Sequence, residues 1–579
     1  MFREKYLNYA ELMAQLQTWA TQYPGLAHLS RIGQSAGGRD IPLLTIGRDP
    51  DRIRPAVWID GNMHASEVCG SSVALAIAED ILTLHGGTDV AGGKPLPAHM
   101  ADALRETLFY VVPRISPDGA EEVLQLGRYV RSSPVNERVN QGHAHWQAAD
   151  VDGNGFIGVM RVQDPAGELV ELRGDDGQSF APFAPFAPLL PSVLVARQPE
   201  DVGPYYRLYP EGQIANFDGR TVPDPYFLGD NEYDFNRNFP YHWAPEPKQA
   251  GAGPYPGAAP ETRAVIDFAT RHPNIMVWLN LHTFGGVLIR PLGDQPDNKM
   301  NGDDRGIFEQ VEAWMTEHTG YPTVSGFHEF LYEPDKPLHG DLSDYAYHQR
   351  GALAYVVELW DVFKQLGIER KKPFVDHYSK FSRQDVRALA AFDKAHNASR
   401  IFGAWKPFDH PQLGAVEIGG LDPRVGIWNP PYERVAETCA TQSAAFLRVA
   451  SLLPQLKLKV LKTERSDMHM RIDVRINNLG YLPSYGIPSS KNLPHAEPLR
   501  VTAKVEGLTL LAPTEAVLDI GHLEGWGGGL YGGPSVFAPW TRGNGHQRVV
   551  SFVVQGQGKL HVEVRSCRSG IQTLSIDVN

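Results

Sequence analysis

The residues best placed to do chemistry are His64 and Glu67, in the stretch AVWIDGNMHASEVCG over residues 56–70. An apolar run (Val57, Trp58, Ile59) breaks at Gly61 and Asn62, which predicts a buried strand running into the first turn of a helix. Positions i and i+3 share a helix face, so this imidazole and carboxylate can converge on one point as zinc-type ligands. A catalytic zinc takes three protein ligands and keeps one position open for water. His282 is the best third donor, because it ends the apolar run 277–281 next to Gly285 and Gly286, and sites form at strand ends in open α/β sheets. His143 and His145 are rival donors in a polar stretch. The water also needs a base. Glu358, at the end of the apolar stretch 354–360, is a carboxylate whose pKa burial would raise toward the working range. Arg237, between the amides Asn236 and Asn238 in DFNRNFP, offers a fork for a carboxylate, and Arg128 and Arg131 a second cation.

These residues need a rigid frame. The sequence predicts a helix over 9–23, strands over 28–32 and 41–46, a helix over 71–84 and a strand over 107–112. After residue 134 the texture turns to Pro, Gly, Asp and aromatics up to about 229. So long a loop is improbable in a compact domain, and an insertion with its own folded elements is expected. Helices then follow near 260–271 and 303–318, a strand over 275–281, a helical run over 342–350 into a strand over 352–359, and a closing helix near 433–453. Strands alternating with helices imply an α/β fold, here a mixed twisted sheet with helices on both faces. From about residue 456 the pattern changes to strict alternation (Met468, Met470, Ile472, Val474, Ile476; Leu560, Val562, Val564), which predicts an all-β sandwich over 456–579 after a catalytic domain over 1–455.

Composition sets the outer limits. A 579-residue chain with 42% hydrophobic residues is globular and large enough for two or more domains. Its net charge of -13 argues against a broad electrostatic hold on nucleic acid or anionic membrane. Three scattered cysteines make no disulfide framework, and no signal, presequence or membrane span is evident. A cytoplasmic protein without a pro-segment or zymogen control is expected.

The ordered set His64-x-x-Glu67, Asp234-x-Asn236-Arg237-Asn238, His282 and Glu358 resembles the zinc carboxypeptidases of the carboxypeptidase A type, the M14 family. Residues 23–47, the turn Ser116-Pro117-Asp118-Gly119 and the spacing from Asp344 to Glu358 extend the likeness over about residues 6–453. The resemblance implies that His64, Glu67 and His282 bind one zinc ion and that Glu358 is general base, then proton donor. It also implies that Asn236 and Arg237 hold the substrate's terminal carboxylate, and that Asp234 orients His64. Arg128 is preferred to Arg131 for the oxyanion, since Arg-x-x-Arg-Ser matches the family's first arginine; Arg131 remains a substrate contact. Ser343 falls where the family reads the last side chain. The capping tyrosine is ambiguous, with Tyr332 nearby but the spacing pointing to Lys336.

The expected function is therefore removal of C-terminal residues from peptides or proteins with a free carboxylate. The alternatives are an amidase or deacylase on cell-wall peptides or small acyl amino acids, and a non-catalytic peptide- or carbohydrate-binding protein. Asp150, Asp152 and Asn154 have the spacing of a calcium loop, although its twelfth position is Arg161 instead of Glu. The glycine-rich loop 521–545, with Trp526, Tyr531 and Trp540, reads as a domain contact or plain loop.

Overall fold

The computed structural model describes residues 1–135, 142–172, 193–225, 233–333, 336–466, 469–527 and 543–579. Met468, Tyr531, Trp540 and parts of the insertion lie outside the described residues.

The first region is built on an eight-stranded sheet: β1 (Ala27–Gln34), β2 (Asp40–Ile46), β3 (Ala56–Gly61), β4 (Leu108–Val112), β5 (Ile275–Thr283), β6 (Val287–Arg290), β7 (Thr323–Ser325) and β8 (Leu353–Leu359). Their order is β1-β2-β4-β3-β5-β8-β6-β7. The central strands β4, β3, β5 and β8 are parallel, and antiparallel pairs join them to β2 on one side and β6 on the other. Every residue of β3 and β5 is buried, as continuous apolar runs in a sheet covered on both faces require. Side chains alternate between two cores. Val57, Ile59, Leu279 and Leu281 face the helices Cys69–His85 and Tyr432–Ala450, while Trp58, Trp278 and Ala354 face Val265 and Phe268 of the helix Pro260–Arg271. The mixed sheet with helices on both faces is thus present.

The insertion builds a second, six-stranded sheet in the order Leu194–Ala196, Leu169–Glu171, Tyr205–Pro210, Val159–Gln163, Gly414–Leu421, Phe402–His410. Its last two strands form a hairpin from far along the chain, which sequence patterning does not reveal. Arg161 ties the two parts together. It is buried, pairs with Glu171 (3.1 Å) and Glu417 (2.7 Å), and lies over the rings of Tyr206 and Trp405.

The C-terminal region begins with the strand Leu456–Arg465 and, apart from the 3-10 turn Pro488–Asn492, is built of β-strands among the described residues. One long strand, Gln547–Ser566, pairs with Met470–Asn478 through its first half and with Gly570–Val578 through its second, while Arg500–Ala512 runs along both halves. Ile472, Val474, Phe552, Leu560 and Val562 fill the core so enclosed. No helix of the described residues is long and apolar enough to cross a membrane.

Candidate active site

The C-terminal ends of β3, β5 and β8 meet at one point of the sheet. Leu281 pairs with Gly61 and His282 with Glu358, so strand register alone brings two of the expected residues side by side. His64 and Glu67 lie in the turn that follows β3, and the regular helix starts only at Cys69, which corrects the helical placement of the pair. That turn is held by its own polar groups. Asn62 Nδ2 donates to the carbonyls of His64 (2.8 Å) and Ala65 (3.0 Å), and Asn429 accepts from Cys69 N (2.9 Å) and donates to Ser66 O (2.7 Å).

His64 Nδ1 lies 2.7 Å from Glu67 Oε1, His282 Nδ1 3.0 Å from Glu67 Oε2, and the two Nδ1 atoms 3.0 Å from each other. The far side of each ring faces an acceptor: His64 Nε2 meets Asp234 Oδ1 (3.1 Å) and His282 Nε2 meets Asn280 Oδ1 (2.5 Å). Both Nε2 atoms then carry the proton, and two Nδ1 lone pairs face one another beside a carboxylate. A cation between them resolves that repulsion, so this donor set fits a zinc ion. His143 and His145 lie away from this point. His145 belongs to the strand His145–Ala148 of the insertion, where its Nδ1 faces His143 O, and neither residue lines the cleft.

The cleft beside this point has a volume of about 730 Å³ and is lined by His64, Glu67, Arg131, Asp234, Arg237 and Glu358, among others. That is room for the end of a peptide. Glu358 Oε2 is buried without a hydrogen-bond partner among the described residues. Burial first, then Glu67, push its carboxyl well above the usual range, with Arg131 pulling the other way. Burial alone would raise Asp234 as well. Arg131, His64 and Arg237 outweigh it and hold that carboxylate well below its ordinary range.

Three of the expected site residues, Arg128, Asn236 and Ser343, do not line the cleft. Arg131 lines the cleft and places Nε and Nη2 each 2.9 Å from Asp234 Oδ2, whereas Arg128 lies outside it, 3.7 Å from Glu122. The backbone explains this: Arg131 O accepts from Ala65 N (2.8 Å) and Val130 O from Ser66 Oγ (3.2 Å), which lays residues 130–131 along the ligand turn. Asn236 does not line the cleft, because its amide donates to Asp341 (2.9 Å) and accepts from Leu342 N (2.8 Å); Arg237 does line it. Ser343 is buried away from the cleft, its amide and hydroxyl both on Asp341.

Calcium is not supported at Asp150, Asp152 and Asn154. Their side-chain oxygens accept the loop's own amides, Asp150 from Asn154 N (3.0 Å) and Gly155 N (2.8 Å), Asp152 from Asn154 N (3.1 Å) and Asn154 from Phe156 N (2.7 Å). The loop satisfies itself.

Sequence reasoning missed Asn280 and Asp60. Asn280 donates to Asp60, whose Oδ2 accepts from the indoles of Trp58 (2.6 Å) and Trp278 (2.8 Å). A polar residue inside each of two apolar strands was the available signal. Tyr332 and Lys336 both line the cleft, as do Tyr378 and Trp428 from the chain beyond Glu358.

A family profile described as Zinc carboxypeptidase matches residues 12–156 and 222–375, and one described as a domain of unknown function (DUF8731) matches residues 455–577. The chain is 33% identical to carboxypeptidase B of Astacus astacus over 114 residues, which is 20% of this chain and 33% of that protein. It is 30% identical over 122 residues to the inactive metallocarboxypeptidase ECM14 of Ajellomyces capsulatus, 21% of this chain and 19% of that protein. It therefore spans a third or less of these relatives' lengths. Thrombin activatable fibrinolysis inhibitor superposes with a TM-score of 0.41 at 15% identity, covering 78% of this chain and 77% of that one.

Proposed function

We propose, from the premise that this chain belongs to the zinc carboxypeptidase family, that it is an active metallocarboxypeptidase removing single residues from peptides with a free C-terminal carboxylate. The observation that carries this reading is the convergence of His64, Glu67 and His282 beside Glu358, whose Oε2 has no hydrogen-bond partner among the described residues. Held by those three residues, zinc would supply a Lewis acid that polarises the scissile carbonyl and acidifies water.

The chain's own groups do the rest. Glu358 accepts a proton from the attacking water and passes it to the amine nitrogen as the carbon–nitrogen bond breaks. Its raised pKa makes it a base strong enough for the first transfer and an acid strong enough for the second. Arg131 faces the developing oxyanion with a charge that Asp234 fixes in place. Arg237 is placed to receive the terminal carboxylate, and the phenol of Tyr332 to cover the bound residue. The unpaired Cys69, Cys439 and Cys567 support a reducing, cytoplasmic setting.

The test is a set of peptides bearing either a free or an amidated C-terminus, incubated with zinc-loaded protein and read by mass spectrometry. Stepwise loss of single C-terminal residues from the free acids alone supports the reading; internal cleavage, or equal rates on amidated peptides, sinks it. Glu358→Gln should lower kcat by about 10²–10⁴-fold with zinc retained.

A further inference from the structure

A second group of donors lies behind the cleft wall. Leu338, which lines the cleft, donates through its amide to Gly293 O (3.2 Å), and Asp294 follows Gly293. Asp344 accepts from Gly293 N (3.2 and 3.1 Å) and sits on the helix Leu342–His348, four residues before His348 and so on the same face. Asp294, Asp344 and His348 each bring one ligand atom within 4.8 Å of the others.

This cluster differs from the loop at Asp150 in leaving buried polar atoms without a hydrogen-bond partner among the described residues. Asp344 is 2% exposed and Asp294 9%, and Oδ1 of Asp294 has no hydrogen-bond partner among the described residues. Its Oδ2 does lie against Nδ1 of the half-exposed His242, which in turn accepts His339 through its carbonyl (2.9 Å). His348 stacks on Tyr241 at 4.0 Å, and its buried Nε2 also lacks a partner. Two buried carboxylates therefore crowd one imidazole, with His242 against Asp294 alone, an arrangement that burial and like-charge repulsion both disfavour.

We propose that Asp294, Asp344 and His348 form a second divalent-cation site, separate from the one at His64, Glu67 and His282. The mixed oxygen and nitrogen donors suit zinc or a similar transition-metal ion, not calcium or magnesium, which take oxygen alone. His242, against the outer oxygen of Asp294, would orient that ligand. Such an ion ties the helix to the loop after β6. Asp341 caps the same helix and accepts from Asn236, so the ion also braces the segment that carries Arg237.

The full-length chain, stripped of metal and reloaded with zinc, is assayed for bound metal by elemental mass spectrometry, with circular dichroism to verify folding. Two equivalents are expected in the unmutated chain, and one each in His64→Ala and His348→Ala. The His64→Ala arm leaves the second site intact, so it reads that site even if His348→Ala fails to fold. One equivalent that survives His64→Ala and is lost from folded His348→Ala also supports the proposal, whatever the first site holds. No metal in His64→Ala, or a content unchanged by His348→Ala, overturns it and leaves the two carboxylates sharing a proton.

Discussion

Arg128 and Arg131 carry the same charge three residues apart, yet only Arg131 has its guanidinium in the cleft, 2.9 Å from Asp234. Arg131→Ala should lower kcat by about 10²–10³-fold, the cost of removing a preorganised charge from a developing oxyanion. Arg128→Ala should leave kcat within about twofold, as for other surface ion pairs. Equal losses in steady-state peptide hydrolysis would defeat the reassignment. Asp60 gives a pH signature at the same scale. Burial raises its pKa to about 7, against the hydrogen bonds of Trp278, Trp58 and Asn280. Between the ordinary aspartate pKa and about 7 the folded chain keeps a proton that the unfolded chain has lost. Its contribution to stability is therefore complete below that window and is lost as pH rises through it. Asp60→Asn removes the titration. The stability gap between unmutated and variant chains should change between pH 5 and pH 7.5 in urea unfolding and stay constant above about pH 8.

At the scale of elements, the site depends on how closely β3 and the helix Cys69–His85 approach. A Cβ at Gly61 would lie 2.6 Å from Gly70 C, and one at Gly70 would lie 3.0 Å from both Asn62 N and Leu281 O. The missing side chains let the helix start directly behind the strand and leave the ligand turn, residues 62–68, to span a short gap. Gly61→Ala forces the two apart. It should cost about 1–3 kcal/mol or more, as overpacking does, and weaken zinc binding with it. Thermal unfolding and metal content measured together check this; a stable variant with full metal affinity would show that the contact is dispensable.

For the whole molecule, the β domain is part of the frame of the site. Tyr481, Leu482 and Ile487 belong to the main core of the first region. Arg568, fully buried, donates to the carbonyls of Arg350 (3.0 Å), Gly351 (3.0 Å) and Ile275 (3.4 Å). Ile275 begins β5 and Gly351 leads into β8, the strands that carry His282 and Glu358 next to their last residues. Burial pushes the Arg568 guanidinium down to about 10, still charged near neutral pH. Arg568→Ala strands three carbonyls and should lower stability by about 3 kcal/mol. The unmutated chain should unfold in one calorimetric transition across both regions; two separate transitions would show that the β domain only decorates the first.

The sequence by itself determined the candidate ligand set, the candidate base and the central sheet. His64, Glu67, His282 and Glu358 follow buried apolar runs whose strand ends meet once the runs are paired, so type and spacing along the chain carried the information. Membership of the zinc carboxypeptidase family was legible for the same reason. What only the tertiary structure decided was direction and distant pairing. Arg131 turns into the cleft because its backbone is held by the ligand turn, and Asn236 turns away because Asp341 and Leu342 occupy its amide. The hairpin Phe402–His410 and Gly414–Leu421 completes a sheet begun some 200 residues earlier, and Asp294 meets Asp344 and His348 across two elements. Side-chain direction is set by partners that local pattern does not contain, and those partners exist only after the chain has folded.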